Sequence, residues 1–397
     1  MDTWGVDYVL VNDAGRIVFP PHAYRDARTQ AGLLHLQNTR AALDRIYAAT
    51  GIPAVFYNSS LQLAETVASC PAITDLATRC LFLPDYFNYL LSGKMANGLS
   101  IASTTQLLDV HGQDWSRIAL DWFRVPPVWL STPVVTGAKL GRVRELAGLE
   151  KTAVIAVPGH DTTCAYDAMP AAADGADILL SSGTWSLVGF ESDTPLLGPT
   201  ALAARVANDR TGRGGYRPLI NVIGLWLLEQ TLKDFAARPR NDREWERLIK
   251  QASLLPAPGS LLNCTDPAFA NPPSMKAAID AQLKRRRLPL PKNLAGYVRL
   301  ICASLGRGHA DVIGTFTQLS GRSFRRILMV GGGSKNSLLC QATADAAGLP
   351  VVSFSLEGTA VGNLANQLIA FGAVKNLATF RTSLASDLRQ TIYQPNK

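Results

Sequence analysis

Between residues 327 and 354 the chain reads as a strand, three consecutive glycines, a helix and a second strand, and this stretch constrains the fold more than any other. Residues 327–330 (ILMV) are wholly apolar, and Gly331, Gly332 and Gly333 end that run. A helix is expected from about 336 to 347, with Gly348 where a C-cap glycine belongs, followed by a β-rich run at 351–354. Strand, helix and strand in that order imply a crossover, and so an α/β domain. The glycines let backbone approach a ring or a phosphate, and the helix start favours negative charge. The turn is not a Walker A loop, because no Gly-Lys-Ser/Thr follows. It is not a full GxGxxG either, because Asn336 holds the last position.

The rest of the chain divides around residues 171–177 (AAADGAD), a stretch without apolar periodicity. At 397 residues two domains are expected, divided as 1–168 and 169–397. Tyr8, Val9, Leu10 and Val11, the polar turn 12–15 and then Ile17, Val18 and Phe19 predict a β-hairpin. Residues 30–108 read as helical, including a short amphipathic helix in 83–94 ended by Gly93, and 124–145 read as loop. Residues 152–157 (TAVIAV) predict a short strand, as do 178–180 and 186–190, and a long helix is expected over 294–319.

Composition excludes several function classes. No run of eighteen apolar residues suggests a membrane span, and the acidic, unbroken start MDTWGVD is not a signal peptide, which points to the cytoplasm. Cys70, Cys80, Cys164, Cys264, Cys302 and Cys340 form no CxxC pair, so they read as buried small hydrophobes rather than zinc ligands. The net charge of +8 is dispersed, and its one dense run, Lys284, Arg285, Arg286 and Arg287, lacks interleaved aromatics. A solvated surface fits that run better than nucleic-acid contact.

Two further segments could carry chemistry. In TAVIAVPGHDTTCAY (152–166) an apolar strand ends at Pro158-Gly159, and His160-Asp161 stand at a helix entrance. Asp161 fits an N-cap; a carboxylate at a strand end could equally take a proton from a substrate hydroxyl. In SSGTWSLVGF (181–190) Gly183 lets backbone approach an anion among hydroxyls, which suits a phosphate cradle as well as an ordinary hairpin turn.

The order of these three segments resembles the FGGY family of carbohydrate kinases, and DTWGVDYVLVNDAG (2–15), AYRDART (23–29), LPDYFNYLLSGK (83–94), STTQLLDV (103–110), SSGTWSLVGFES (181–192) and NVIGLWLLEQ (221–230) resemble its rhamnulokinase branch. The resemblance covers nearly the whole chain. It implies an α/β, two-lobed, actin-like ATPase (ribonuclease H-like) fold, with a sugar-binding lobe in 1–168 and a nucleotide-binding lobe in 169–397. It also implies ATP and Mg²⁺, a ketose substrate with L-rhamnulose foremost, and partners limited to small molecules. Asp161 resembles the family's base, and Gly5 and His160 its sugar contacts. Thr184 would meet the ATP phosphates, Asn221 and Glu229 the nucleotide, and Gly331, Gly332 and Gly333 the adenosine. Where the family usually shows Gln, Glu229 can accept hydrogen bonds but donate none while ionised. Family members begin upstream with a DxGxxSxR-like phosphate loop, so the resemblance implies a first lobe incomplete at its N-terminus.

Two other readings stay open. One is a truncated or degenerate relative that binds sugar or nucleotide without turnover. The other is a dinucleotide enzyme built on the glycine turn with Glu357 on a ribose, which lacks an N-terminal βαβ unit to support it.

Overall fold

The computed structural model describes residues 1–354 and 356–396. The strands are β1 Tyr8–Val11, β2 Arg79–Phe82, β3 Lys139–Arg142, β4 Ala153–Ile155, β5 Asp177–Ser182, β6 Trp185–Gly189, β7 Ala207–Arg210, β8 Tyr216–Ile223, β9 Arg326–Val330, β10 Val351–Phe354 and β11 Gln390–Tyr393. Five helices matter below: α1 Asp161–Ala168, α2 Leu294–Ser320, α3 Ser337–Ala347, α4 Gly358–Ala370 and α5 Leu377–Asp387.

The chain forms two compact units. One comprises Met1–Pro170, Glu191–Leu219 and Gly358–Leu384; the other Ala171–Phe190, Ile220–Glu357 and Ala385–Lys397. A linear division after residue 168 describes a single passage between units, whereas the chain returns twice to the first.

In the first unit β1 pairs antiparallel with β2, Tyr8 opposite Phe82 and Val11 opposite Arg79. The expected hairpin partner at 17–19 forms only an isolated bridge from Ile17 to Val11. Pro20 and Pro21 follow at once and have no N–H to extend a ladder. β2 was not legible in the helical pattern of 30–108, because four residues show no periodicity of their own. Helix Leu83–Ser92 does end at Gly93, in the left-handed region at φ +76°. The loop expected over 124–145 contains β3, which pairs antiparallel with β4. Leu10, Leu36, Ile46, Leu63, Phe82, Ile101 and Trp129 pack into the core of this unit, each at most 1% exposed. Burying each contributes on the order of 2 kcal/mol, and Trp129 also donates its indole N–H to Ala77 O at 2.9 Å. Nearer the surface, Asp26 accepts from the backbone of Arg28 and so caps the turn, and Arg25 lies over the Tyr24 ring.

In the second unit the sheet runs β11-β10-β9-β5-β6, with β10, β9 and β5 mutually parallel and β6 and β11 antiparallel to their neighbours. This is the crossover expected from residues 327–354. Asn336 caps α3 by accepting from Leu339 N at 3.1 Å, and Gly348 ends it at φ +64°. Along α2, Val298, Ile301, Leu305 and Phe316 are buried on one face. Of the basic run, Arg285 pairs with Asp266 at 2.7 Å and Arg286 donates to Leu261 O at 2.6 Å.

Candidate active site

The first unit carries a carboxylate-rich group built on two backbone segments that bond each other. Thr3 N donates to Gly159 O at 3.0 Å and Asp161 N to Thr3 O at 2.8 Å, so the chain around Gly5 is fixed to the start of α1. Gly159 allows this closeness: a Cβ there would stand 2.9 Å from Pro84 Cγ. Asp161 was expected as the N-cap, but His160 occupies the cap and Asp161 is the first helical residue. Its Oδ1 accepts from Thr162 N at 2.5 Å and Thr162 Oγ1 at 3.2 Å. Negative charge is favourable at that helix end, and the side chain is 42% exposed, open to a substrate.

His160 is flanked by acids. Its Nε2 lies 3.6 Å from Asp161 Oδ1 and its Nδ1 3.3 Å from Asp209 Oδ2 on β7, the latter an ion-pair distance without hydrogen-bond alignment. Burial opposes charge on this ring. The Asp209 carboxylate and the nearby Asp161 outweigh it, so His160 is held above the ordinary imidazole value.

Gly5 faces the same ring, and a Cβ on it would lie 3.4 Å from Thr104 Oγ1 and 3.6 Å from His160 Cδ2. The next residue, Val6, sits at φ +70°, a region β-branched residues rarely enter. Its carbonyl accepts from Ser59 Oγ at 2.7 Å and Gln62 Nε2 at 3.2 Å, which hold the strained turn in place. Trp4 donates its indole N–H to Asp7 at 2.8 Å. Burial raises the Asp7 carboxyl above the ordinary carboxylate range, against that hydrogen bond and others.

Behind α1 lies a cluster of buried charges. Arg217 donates to Asp167 at 2.5 Å, to Glu191 at 2.7 Å and to Thr163 O at 3.0 Å. Arg381 reaches Glu191 at 2.9 Å, Tyr166 O at 2.9 Å and Asp167 O at 3.1 Å. The two guanidiniums thus hold three backbone carbonyls of the helix that begins at Asp161.

The second unit carries the hairpin at Thr184 and the glycine turn. Thr184 sits in the turn between β5 and β6, and its carbonyl accepts from Gly224 N at 3.1 Å and Trp226 N at 3.2 Å. Gly224 must be glycine for this: a Cβ would stand 2.6 Å from Gly183 O. The glycine turn packs on the same hairpin. Gly331 has φ +86°, a Cβ there would stand 2.6 Å from Ser182 O, and one on Gly333 would overlap the Ser182 side chain.

Beside this turn is a cavity of about 780 Å³ lined by Leu225, Glu229, Trp245, Lys250, Gly332, Lys335 and Asn336, among others. That size suits a nucleoside-sized ligand. Glu229 and Gly332, far apart in sequence, thus line one cavity. The Glu229 carboxylate also pairs with Arg238 at 3.3 Å. Asn221 is exposed on β8. Trp245 and Lys335 were not foreseen: the tryptophan lies in a helix with no motif, and the lysine follows a glycine turn that fits no phosphate-loop pattern. Asp209 was missed as well, since nothing in NDRTGR links it to His160 across the chain.

No group of three or more His, Cys, Asp or Glu side chains among the described residues could hold a metal ion. Mg²⁺ commonly binds through one or two carboxylates plus substrate phosphates, so the donor set offers no cage of its own and no step below is routed through the ion. No described helix is long and apolar enough to cross a membrane.

Residues 2–166 match the N-terminal domain of the FGGY family of carbohydrate kinases, and residues 178–371 its C-terminal domain. The chain is 37% identical over 396 residues to a rhamnulokinase of Klebsiella pneumoniae (strain 342), covering 100% of this chain and 80% of that protein. Among solved structures, the gluconate kinase of Lactobacillus acidophilus superposes with a TM-score of 0.79 at 14% identity, over 100% of this chain and 79% of that one. A glycerol kinase of Plasmodium falciparum, solved with ADP, gives 0.79 at 12% identity with the same coverage. The mixed α/β fold is that of the actin-like sugar kinases.

Proposed function

The chain belongs to the FGGY family of carbohydrate kinases, and from that premise we propose that it transfers the γ-phosphoryl group of ATP to a ketose, L-rhamnulose at its C1 hydroxyl. The observation that carries this reading is Asp161: a half-exposed carboxylate at the first position of a helix, on the same face as His160 and Gly5. Asp161 accepts the hydroxyl proton as the sugar oxygen bonds to the γ-phosphorus, and the bond from that phosphorus to the bridging oxygen breaks to leave ADP. His160 and the backbone at Gly5 hold the sugar. In the other unit, the hairpin at Thr184 supports the phosphates, and the cavity beside Gly332, Glu229 and Trp245 takes the adenosine, with Asn221 as a further nucleotide contact. Gly331 and Gly333 shape the turn rather than line the cavity. Mg²⁺, bound with the nucleotide, would shield phosphate charge. The first unit is thereby assigned to sugar and the second to nucleotide.

The sugar is taken from the 37% identical relative, the reaction type from the family. The test is ADP release with L-rhamnulose, L-fuculose, D-xylulose and glycerol. L-rhamnulose should give the highest kcat/KM, and Asp161→Asn should abolish most of it. Equal rates for the native chain and the variant would remove Asp161 as base. Nucleotide binding without turnover on any of the four sugars would replace the reading with a binding protein.

A further inference from the structure

His160 presents each ring nitrogen to a carboxylate, Nδ1 to Asp209 and Nε2 to Asp161, at 3.3 and 3.6 Å. A neutral imidazole has one N–H and one lone pair, so in either tautomer a lone pair would face a carboxylate oxygen. Only the doubly protonated ring offers a proton to both. The charges that act on the ring are Asp161 from α1 and Asp209 from β7, and the uncharged Gly5 and Thr104 lie on its other side. Asp209 is itself 5% exposed. Arg217, buried and charged, stands opposite it in the antiparallel β7–β8 pair but is committed to Asp167 and Glu191. Tyr166 is fully buried and kept neutral by that burial, with the Asp209 charge adding to the effect.

Resting on the kinase reading above, we propose that Asp209 is a positioning residue for phosphoryl transfer: its carboxylate, at ion-pair distance from Nδ1, holds His160 as an imidazolium whose Nε2–H faces the base Asp161 and the sugar. Two consequences follow from the charges. The imidazolium offsets one of the two carboxylates that flank it, so the three groups together carry one net negative charge instead of two. It also has no lone pair with which to take the substrate proton, which leaves that proton to Asp161 alone. Loss of the Nε2 proton at high pH would turn a lone pair toward Asp161 and remove a donor to the sugar.

The test follows the proton directly. Among the five histidines the His160 ring resonance is identified by its loss in His160→Gln, and its NMR titration is compared in the native chain, Asp209→Asn and Asp209→Glu. The native midpoint should lie above the ordinary imidazole value of about 6.5. Asp209→Asn, nearly isosteric, should lower it by about one pH unit or more, and Asp209→Glu should restore most of the difference. The alkaline limb of kcat/KM should move with the midpoint, which a purely structural role for Asp209 would not produce. Equal midpoints in the native chain and Asp209→Asn overturn the proposal. So does a kcat/KM limb that stays in place while the midpoint moves. If no ketose is phosphorylated at all, the kinase reading fails, and the NMR midpoint still decides whether Asp209 holds the ring doubly protonated.

Discussion

Asp161 changes meaning with its position in the helix. As an N-cap its carboxylate would be turned onto the helix end; as the first helical residue its Oδ1 accepts only from Thr162, which leaves the outer oxygen for a substrate. Asp161→Asn should therefore lower kcat by roughly 10²–10⁴-fold in a coupled ADP assay while leaving the KM for sugar within a few-fold. Glu191 makes a separate prediction in acid. Burial works against its charge, but Arg217 and then Arg381 outweigh that and hold its carboxyl at about 2. Its folded value is below the unfolded one of about 4.3, so its stabilisation is complete above that pH and is lost as pH falls toward 2. Denaturant melts across that window should show a slope of stability with pH that is smaller by about 1.4 kcal/mol per pH unit in Glu191→Gln. Asp161, His160 and Gly5 could be singled out in the sequence because they sit in short, unusual strings, and the structure brings the three together. Val6 at φ +70° and Asp209 were not, since one is backbone strain held by Ser59 and Gln62 and the other a contact across the chain.

Elements were legible where a single period governed them. The long helix α2, the β9–α3–β10 crossover and the hairpin β5–β6 lie within about two residues of where the pattern places them, because caps such as Asn336, Gly348 and Gly93 mark their ends. The four-residue strands β2 and β7 carry no such signal and exist through pairing alone. At this scale the glycine turn is the sensitive point. Gly331→Ala places a methyl 2.6 Å from Ser182 O at a φ that side chains disfavour, so the turn and the β5–β6 hairpin must separate. A loss of about 1–3 kcal/mol in urea denaturation is expected, together with a raised KM for ATP and little change in the KM for sugar.

At the scale of the whole molecule, sequence order misleads. A boundary near residue 168 is visible in composition, but Glu191, Arg217 and Arg381 all belong to the first unit and hold Asp167 and the carbonyls of α1. A fragment of residues 1–168 would leave the Asp167 carboxylate without Arg217, an uncompensated charge worth about 3–5 kcal/mol when buried. It should fail to give a dispersed NMR spectrum or resist limited proteolysis, whereas the full chain should do both. The same buried cluster sets a clock on synthesis. A ribosome adding roughly 5–20 residues per second needs on the order of 10–40 s to travel from Pro170 to Leu384. Until then the helix bearing Asp161 waits for Arg381, and the carbonyls of Tyr166 and Asp167 lack the donor that fastens them in the finished unit.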